Sequence, residues 1–81
     1  MIILITDVQN RTNENIYAAT YQVVDGTPSR SDVIHLLTSE VAQCSDITYS
    51  LTKKQGRFNT VGRQCVQGEH FNYIEMHEAV S

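Results

Sequence analysis

The sequence predicts a single α+β domain over residues 1–81, in which one helix packs on a mostly antiparallel sheet in the order β-β-α-β-β-β. Several segments alternate apolar and polar residues with a period of two, which is typical of strands. One segment repeats apolar residues at helical spacing and follows a clear turn signal. No internal repeat, linker or low-complexity tract divides the chain, so we expect one small core.

The first two strands are predicted from the residues before the first turn. Residues 1–8 form a β-branched, apolar run that suits a central strand. Residues 9–15 are polar and rich in asparagine, so we expect a loop there. Residues 16–24 alternate and predict a second strand, antiparallel to the first. On one side of this second strand we expect Tyr17, Ala19, Tyr21 and Val23.

The helix is predicted over about residues 30–43, after the break at residues 25–28. Ser29 is a suitable N-cap, and Asp32 follows it in the register of a capping box. Apolar residues then recur at helical spacing, and we expect this stripe to lie on one face of the sheet. The stripe consists of Val33, Ile34, Leu37 and Val41, with Leu36 beside it.

The second half of the chain predicts a hairpin and a last strand. Residues 46–53 alternate again, with Ile47, Tyr49 and Leu51 expected on one side. Residues 54–56 predict a turn, and residues 57–66 predict the partner strand. Residues 70–78 alternate as a strand does but also contain residues that favour a helix, and we predict a strand there.

Charge is distributed unevenly along the chain. Six Lys and Arg against nine Asp and Glu give a net charge of −3. Residues 53–63 carry four basic residues and no acidic one. Residues 1–52 carry two basic and six acidic residues, net −4, and residues 64–81 carry three acidic residues and no basic one, net −3. A net acidic chain argues against a general nucleic-acid-binding protein, but the basic segment keeps a local nucleic-acid site as an alternative.

The apolar run at residues 2–5 is too short to span a membrane, and no basic residue precedes it as in a signal peptide. We therefore expect a cytoplasmic protein without membrane contact. Cys44 and Cys65 are twenty-one positions apart, and we expect two reduced thiols in that compartment. A single disulfide between them remains the alternative. Together with His70 and His77 they offer zinc-ligand types, but not the close spacing of a structural zinc site. We expect neither a metal nor another cofactor.

The chemistry of an enzyme has little support in the sequence. A small Cys/His enzyme would pair one thiolate with an imidazole, but no recognisable motif flanks either cysteine. Gly56, Gly62 and Gly68 match no phosphate-binding loop, and the chain has no Gly-x-Ser-x-Gly turn. We therefore expect a protein that is not an enzyme and keep the Cys/His enzyme as a second alternative.

The basic segment at residues 53–63 predicts a hairpin that surrounds Phe58 with positive charge. Lysine and arginine neutralise phosphates, and an aromatic ring can stack on a base. The first alternative is therefore a nucleic-acid-binding domain that uses this hairpin. The competing interpretation is that the charges protect an exposed strand and that Phe58 fills the core.

Elimination favours a small non-catalytic protein-binding module, an inhibitor or adaptor that acts on a larger protein machine, including machines that handle nucleic acid. An acidic surface can occupy a basic groove of a partner by charge complementarity, and tyrosines are frequent anchors of interfaces. The candidate partner-binding residues are Lys53, Lys54, Arg57, Arg63, Tyr17, Tyr21, Glu75 and Glu78.

In size and character the chain looks like small accessory proteins of phages and mobile elements, some of which inhibit host defence enzymes. The likeness rests on size and character and on no motif. It implies an inhibitory or adaptor role for this chain. A second copy is a further candidate partner, because a small domain can complete its core by pairing sheet edges, here residues 16–24 or the C-terminal segment.

Overall fold

A computed structural model describes residues 1–11 and 15–72 and confirms the predicted α+β fold. The strands form one antiparallel sheet in the order β3-β4-β2-β1-β5. In these residues no helix has both the length and the apolar character needed to cross a membrane. The elements are β1 (Ile2–Asn10), β2 (Ile16–Asp25), α1 (Arg30–Glu40), β3 (Cys44–Ser50), β4 (Gln55–Val61) and β5 (His70–Asn72).

The core lies between α1 and one face of the sheet. Because side chains alternate along each strand, every second residue of the sheet contributes to this layer. The three buried residues of α1 itself are Val33, Leu36 and Leu37. The buried sheet residues, in chain order, are Ile3, Ile5, Ala19, Tyr21, Val23, Tyr49, Phe58, Thr60 and Phe71. The predicted side of the second strand is confirmed: Ala19, Tyr21 and Val23 are buried, and Tyr17 is half-buried on the same side.

The helix begins where the sequence predicts. The Asp32 N–H donates to Ser29 Oγ at 3.3 Å, and the Ser29 N–H donates to an Asp32 carboxylate oxygen at 3.1 Å. This reciprocal pair is the predicted capping box. The helix ends at Glu40, a turn earlier than predicted, because Val41 is extended and Gln43 takes a positive φ of 53° that turns the chain into β3. Val41 still belongs to the core.

We expect Ser29→Ala to lower the free energy of unfolding by about 1 kcal/mol, since the Asp32 N–H loses its acceptor at the helix N-terminus. Urea denaturation followed by circular dichroism measures this change. Ser31→Ala is the matched control, because Ser31 is exposed inside the first turn and alanine favours a helix. A Ser29→Ala protein as stable as the Ser31→Ala protein would show that the cap contributes nothing.

The β3–β4 hairpin differs from the prediction in its register. Residues 51–54 form the turn, and the Lys54 N–H donates to the Ser50 carbonyl at 2.7 Å. Leu51, expected beside Ile47 and Tyr49, is instead 63% exposed in that turn. Gly56, expected in the turn, lies inside β4. The turn forms earlier because Lys54 itself adopts a positive φ of 56°.

The other strand limits shift by a few residues. β1 continues to Asn10, into the predicted loop at residues 9–15, because it pairs with β2 along its whole length. β4 ends at Val61, since Gly62 follows with a positive φ of 81°. β5 covers His70–Asn72, and the rest of the strand predicted at residues 70–78 lies outside the described residues. The expected sheet edge at residues 16–24 is wrong: β2 is the middle strand, hydrogen-bonded to β1 and β4.

Candidate functional site

The helix covers one face of the sheet, and the opposite face, here called the open face, carries mainly polar side chains. On β2 and β4 these side chains alternate with core residues, and most of them are exposed. No Phe or Tyr ring of the described residues lies on the open face, because Tyr21, Tyr49, Phe58 and Phe71 are buried and Tyr17 shares their side of the strand. The open face includes Gln9, Ala18, Thr20, Thr48, Ser50, Gln55, Arg57 and Asn59.

Arg57 lies at the centre of this face. It is paired in register with Thr20 of β2 on one side and with Thr48 of β3 on the other. Its side chain is exposed, and its guanidinium has no hydrogen-bond or ion-pair partner within residues 1–11 and 15–72. A fixed strand therefore presents a cation whose donors are free for an external acceptor.

A bulge in β3 holds Thr48 beside Arg57. The register shifts between Ser45 and Thr48, and Asp46 within the bulge has a positive φ of 53°. Thr48 Oγ1 accepts from the Arg57 backbone N–H at 3.1 Å and lies 3.4 Å from the Arg57 carbonyl, to which it donates. The Thr48 side chain thus replaces part of the backbone ladder and ties the bulge to the strand that carries Arg57.

Two shallow depressions meet at Arg57, and we call them together the Arg57 trench. Their volumes are about 500 Å³ and 380 Å³. Thr48 and Arg57 line both of them. Gln9, Arg11, Ala18, Asp46 and Asn59 complete the first depression. Thr20, Ser50, Lys53, Gln55 and Gly56 complete the second depression.

The first depression contains a short chain of hydrogen bonds. Arg11 Nη1 donates to Asn59 Oδ1 at 3.4 Å, and Asn59 Nδ2 donates to an Asp46 carboxylate oxygen at 3.0 Å. The Asn59 side chain therefore lies between a cation and an anion, and it makes one hydrogen bond to each. Within residues 1–11 and 15–72 the bond from Arg11 is one bond from a guanidinium that carries five N–H donors.

The structure separates the four predicted basic residues instead of clustering them. Lys53 is exposed in the turn and lines the trench with Arg57. Lys54 points elsewhere, since its Nζ donates to the Gly26 carbonyl at 3.0 Å. Arg63 is exposed beyond the far end of β4, a strand of seven residues. At ~3.3 Å per residue that strand puts Arg63 about 20 Å from the turn that contains Lys53 and Lys54.

The remaining predicted residues have three different placements. Tyr21 is fully buried, so in this structure it is a core residue that no partner can reach. Tyr17 is half-buried on the helix side of the sheet and does not belong to the open face. Glu75 and Glu78 lie outside the described residues. Phe58, the candidate base-stacking ring, is 1% exposed and fills the core.

Sequence reasoning missed Arg11 and Thr48 as parts of the candidate site. They come from two other segments, which the pairing of β1 with β2 and of β4 with β2 and β3 brings beside Arg57 and Asn59. The one signal for them was the alternation itself, because outward positions that are consistently polar on neighbouring strands indicate an uncovered face.

The two thiols are free, as predicted: Cys65 is buried and Cys44 half-buried. Burial raises the pKa of the Cys44 thiol to about 11, and the neighbouring Cys65 thiol adds to this shift. Burial also raises the pKa of Cys65, with a further contribution from the Glu69 carboxylate. In the part of the chain that the structure describes, no group of three or more His, Cys, Asp or Glu side chains is placed to hold a metal ion.

We expect Cys44 to react with iodoacetamide about tenfold more slowly at pH 8 than it does in the urea-unfolded chain. The raised pKa lowers the thiolate fraction about 100-fold, and the greater nucleophilicity of the more basic thiolate offsets part of that loss. Because the folded pKa is the higher one, the rate should keep rising with pH beyond the point at which the unfolded chain levels off. Mass spectrometry of quenched samples gives both rates. A folded Cys44 that reacts faster than the unfolded chain would indicate an activated thiol.

Comparison of the chain with protein-family models, curated proteins and solved structures found no match.

Proposed function

We propose that this chain is a small non-catalytic protein-binding module, an inhibitor or adaptor of a larger protein machine, and that it binds its partner through the open face. The observation that carries this proposal is the exposed guanidinium of Arg57, unpaired among residues 1–11 and 15–72, at the centre of a polar sheet face that the helix does not cover. A rigid strand presents this side chain, so binding costs less ordering than it would on a loop. Arginine is also among the residues that contribute most to interfaces.

The thiols and the lining of the trench support a binding role over catalysis. A nucleophilic cysteine needs a lowered pKa, whereas burial raises the pKa of Cys44 and of Cys65. The trench is open, and half of its lining residues carry neutral hydrogen-bonding side chains, which suit recognition of peptide groups. The two free thiols are consistent with the reducing cytoplasm, which we propose as the compartment.

A competition experiment tests the proposal. The immobilised chain captures proteins from a host lysate, and soluble chain is added as competitor in three forms: unchanged, Arg57→Glu and Arg30→Glu. Arg30 is exposed at the start of α1, across the core from the open face, so it undergoes the same charge change outside the trench. We expect the unchanged chain and Arg30→Glu to displace the same protein, and Arg57→Glu to be about tenfold weaker.

Two results would contradict the proposal. Failure to capture any protein that the soluble chain displaces would remove the binding role. Equal displacement by Arg57→Glu and Arg30→Glu would leave the binding role and remove the open face as its surface. Circular dichroism of both variants verifies that they are folded.

A further inference from the structure

Three cations line the Arg57 trench. Arg57 occupies the middle, Arg11 reaches the level of Asn59, and Lys53 lines the depression beside Gln55. Residues 55, 57 and 59 are successive outward positions of β4, which lie ~7 Å apart along a strand. An extended peptide presents every second side chain on one side with the same repeat of ~7 Å.

From this match we infer that the Arg57 trench binds an extended acidic segment of the partner, with carboxylates at every second residue. This inference rests on the proposed function, since it assigns the chemistry of the partner at the same surface. Arg57 would take the central carboxylate, because its guanidinium has no partner in the described part of the chain and can donate to both carboxylate oxygens. The hydroxyls and amides of Thr20, Thr48 and Gln55 suit the polar groups between the carboxylates.

The same trench is less suited to a nucleic acid. Asp46 places a carboxylate inside the first depression, where it repels phosphates and carboxylates alike, so the distinction depends on the aromatic rings and on Arg63. None of the Tyr and Phe rings in residues 1–11 and 15–72 is on the open face to stack on a base, and Phe58 is buried. Arg63 lies beyond the far end of β4 and lines neither depression.

Asp46 offers a variant that should improve binding. Asp46→Asn removes the repelling charge but keeps an amide oxygen as acceptor for Asn59 Nδ2. The positive φ of 53° at this position is tolerated by asparagine, so we expect the bulge to persist. A gain of binding is informative because damage to the fold would not produce it.

The test is titration of the full chain with three probes at low salt, followed by nuclear magnetic resonance. The probes are a heptapeptide of alternating threonine and glutamate, the same peptide with glutamine for glutamate, and a heptathymidine oligonucleotide. We expect the glutamate peptide to bind about tenfold more tightly than the glutamine peptide, and Arg57→Glu to lose that advantage. Asp46→Asn should tighten binding of the glutamate peptide about threefold, and Lys53→Glu should weaken it about threefold.

Equal binding of the glutamate and glutamine peptides would overturn the inference. So would tighter, Arg57-dependent binding of the oligonucleotide, which would assign the trench to nucleic acid. These results are distinct from those of the competition experiment. If a protein is displaced in an Arg57-dependent manner while the glutamate peptide does not bind, the acidic segment is refuted and the proposed function stands. If no protein is captured, the proposed function fails whatever the peptide does.

Discussion

Gly56→Ala is expected to destabilise the protein by about 3 kcal/mol or more, a large part of the stability of a domain this small. A Cβ atom at residue 56 would come within 2.7 Å of both the Thr48 carbonyl carbon and the Tyr21 hydroxyl, and still closer to the Thr48 carbonyl oxygen. The nearest of these atoms belong to the backbone of β3, which would have to move away from β4. The φ of Gly56 is not positive, so the requirement for glycine is space and not backbone conformation.

The packing at Gly56 links the core to the open face through Thr48. Gly56 is paired with Tyr21 on β2 and with Tyr49 on β3, so its missing side chain lets these rings stack across β4, with centroids 6.3 Å apart. The Tyr21 hydroxyl then donates to the Thr48 carbonyl at 2.5 Å. The Thr48 hydroxyl also accepts a hydrogen bond from the Arg57 backbone N–H, so loss of this packing would disturb the trench.

Urea denaturation measures the effect of Gly56→Ala, with Gly68→Ala as its control. Gly68 has a positive φ of 90°, but a Cβ at this position would have no atom within 4 Å of it. Alanine there should therefore cost only about 1 kcal/mol of backbone strain. If Gly56→Ala cost no more than Gly68→Ala, the close approach of β3 to β4 at this position would be wrong.

Phe58→Ala is expected to lower the free energy of unfolding by about 3–5 kcal/mol, because it removes a buried ring and leaves a cavity. Phe58 is 1% exposed, and its centroid lies 6.0 Å from that of Tyr21. Leu51→Ala is the control in the same hairpin, where a side chain that is 63% exposed should contribute within about 0.5 kcal/mol. If the Phe58→Ala protein were as stable as the Leu51→Ala protein, Phe58 would not be a core residue. Its ring would then be available to stack on a base, which would favour the nucleic-acid alternative.

The order of the elements could be predicted because each leaves a local signal. The Ser29–Asp32 capping box needs only four consecutive residues, and the alternation of β2 needs only its own strand. The hairpin turn was misplaced because glycine is the usual residue with positive φ, and Lys54 adopts that conformation here. Gly56 is needed inside β4 for contacts to Thr48 and Tyr21, which are distant in sequence.

The candidate site was predicted only in part for the same reason. The density of charge at residues 53–63 singled out Arg57 and Lys53, which line the trench. It also singled out Arg63, which lies beyond the far end of β4 and is therefore distant from Arg57 and Lys53. Arg11 is far from this segment in sequence and reaches the trench because β1 and β4 both flank β2. Register between strands, which no local pattern fixes, decides which charges meet.

The most direct test of the open face as the binding surface is nuclear magnetic resonance of the chain with its captured partner. Shift changes should concentrate at Thr20, Thr48, Arg57 and Asn59, and the exposed residues of α1 should change little. Shift changes confined to Ser31, His35 and Ser39 on α1, with Arg57 unaffected, would contradict the account.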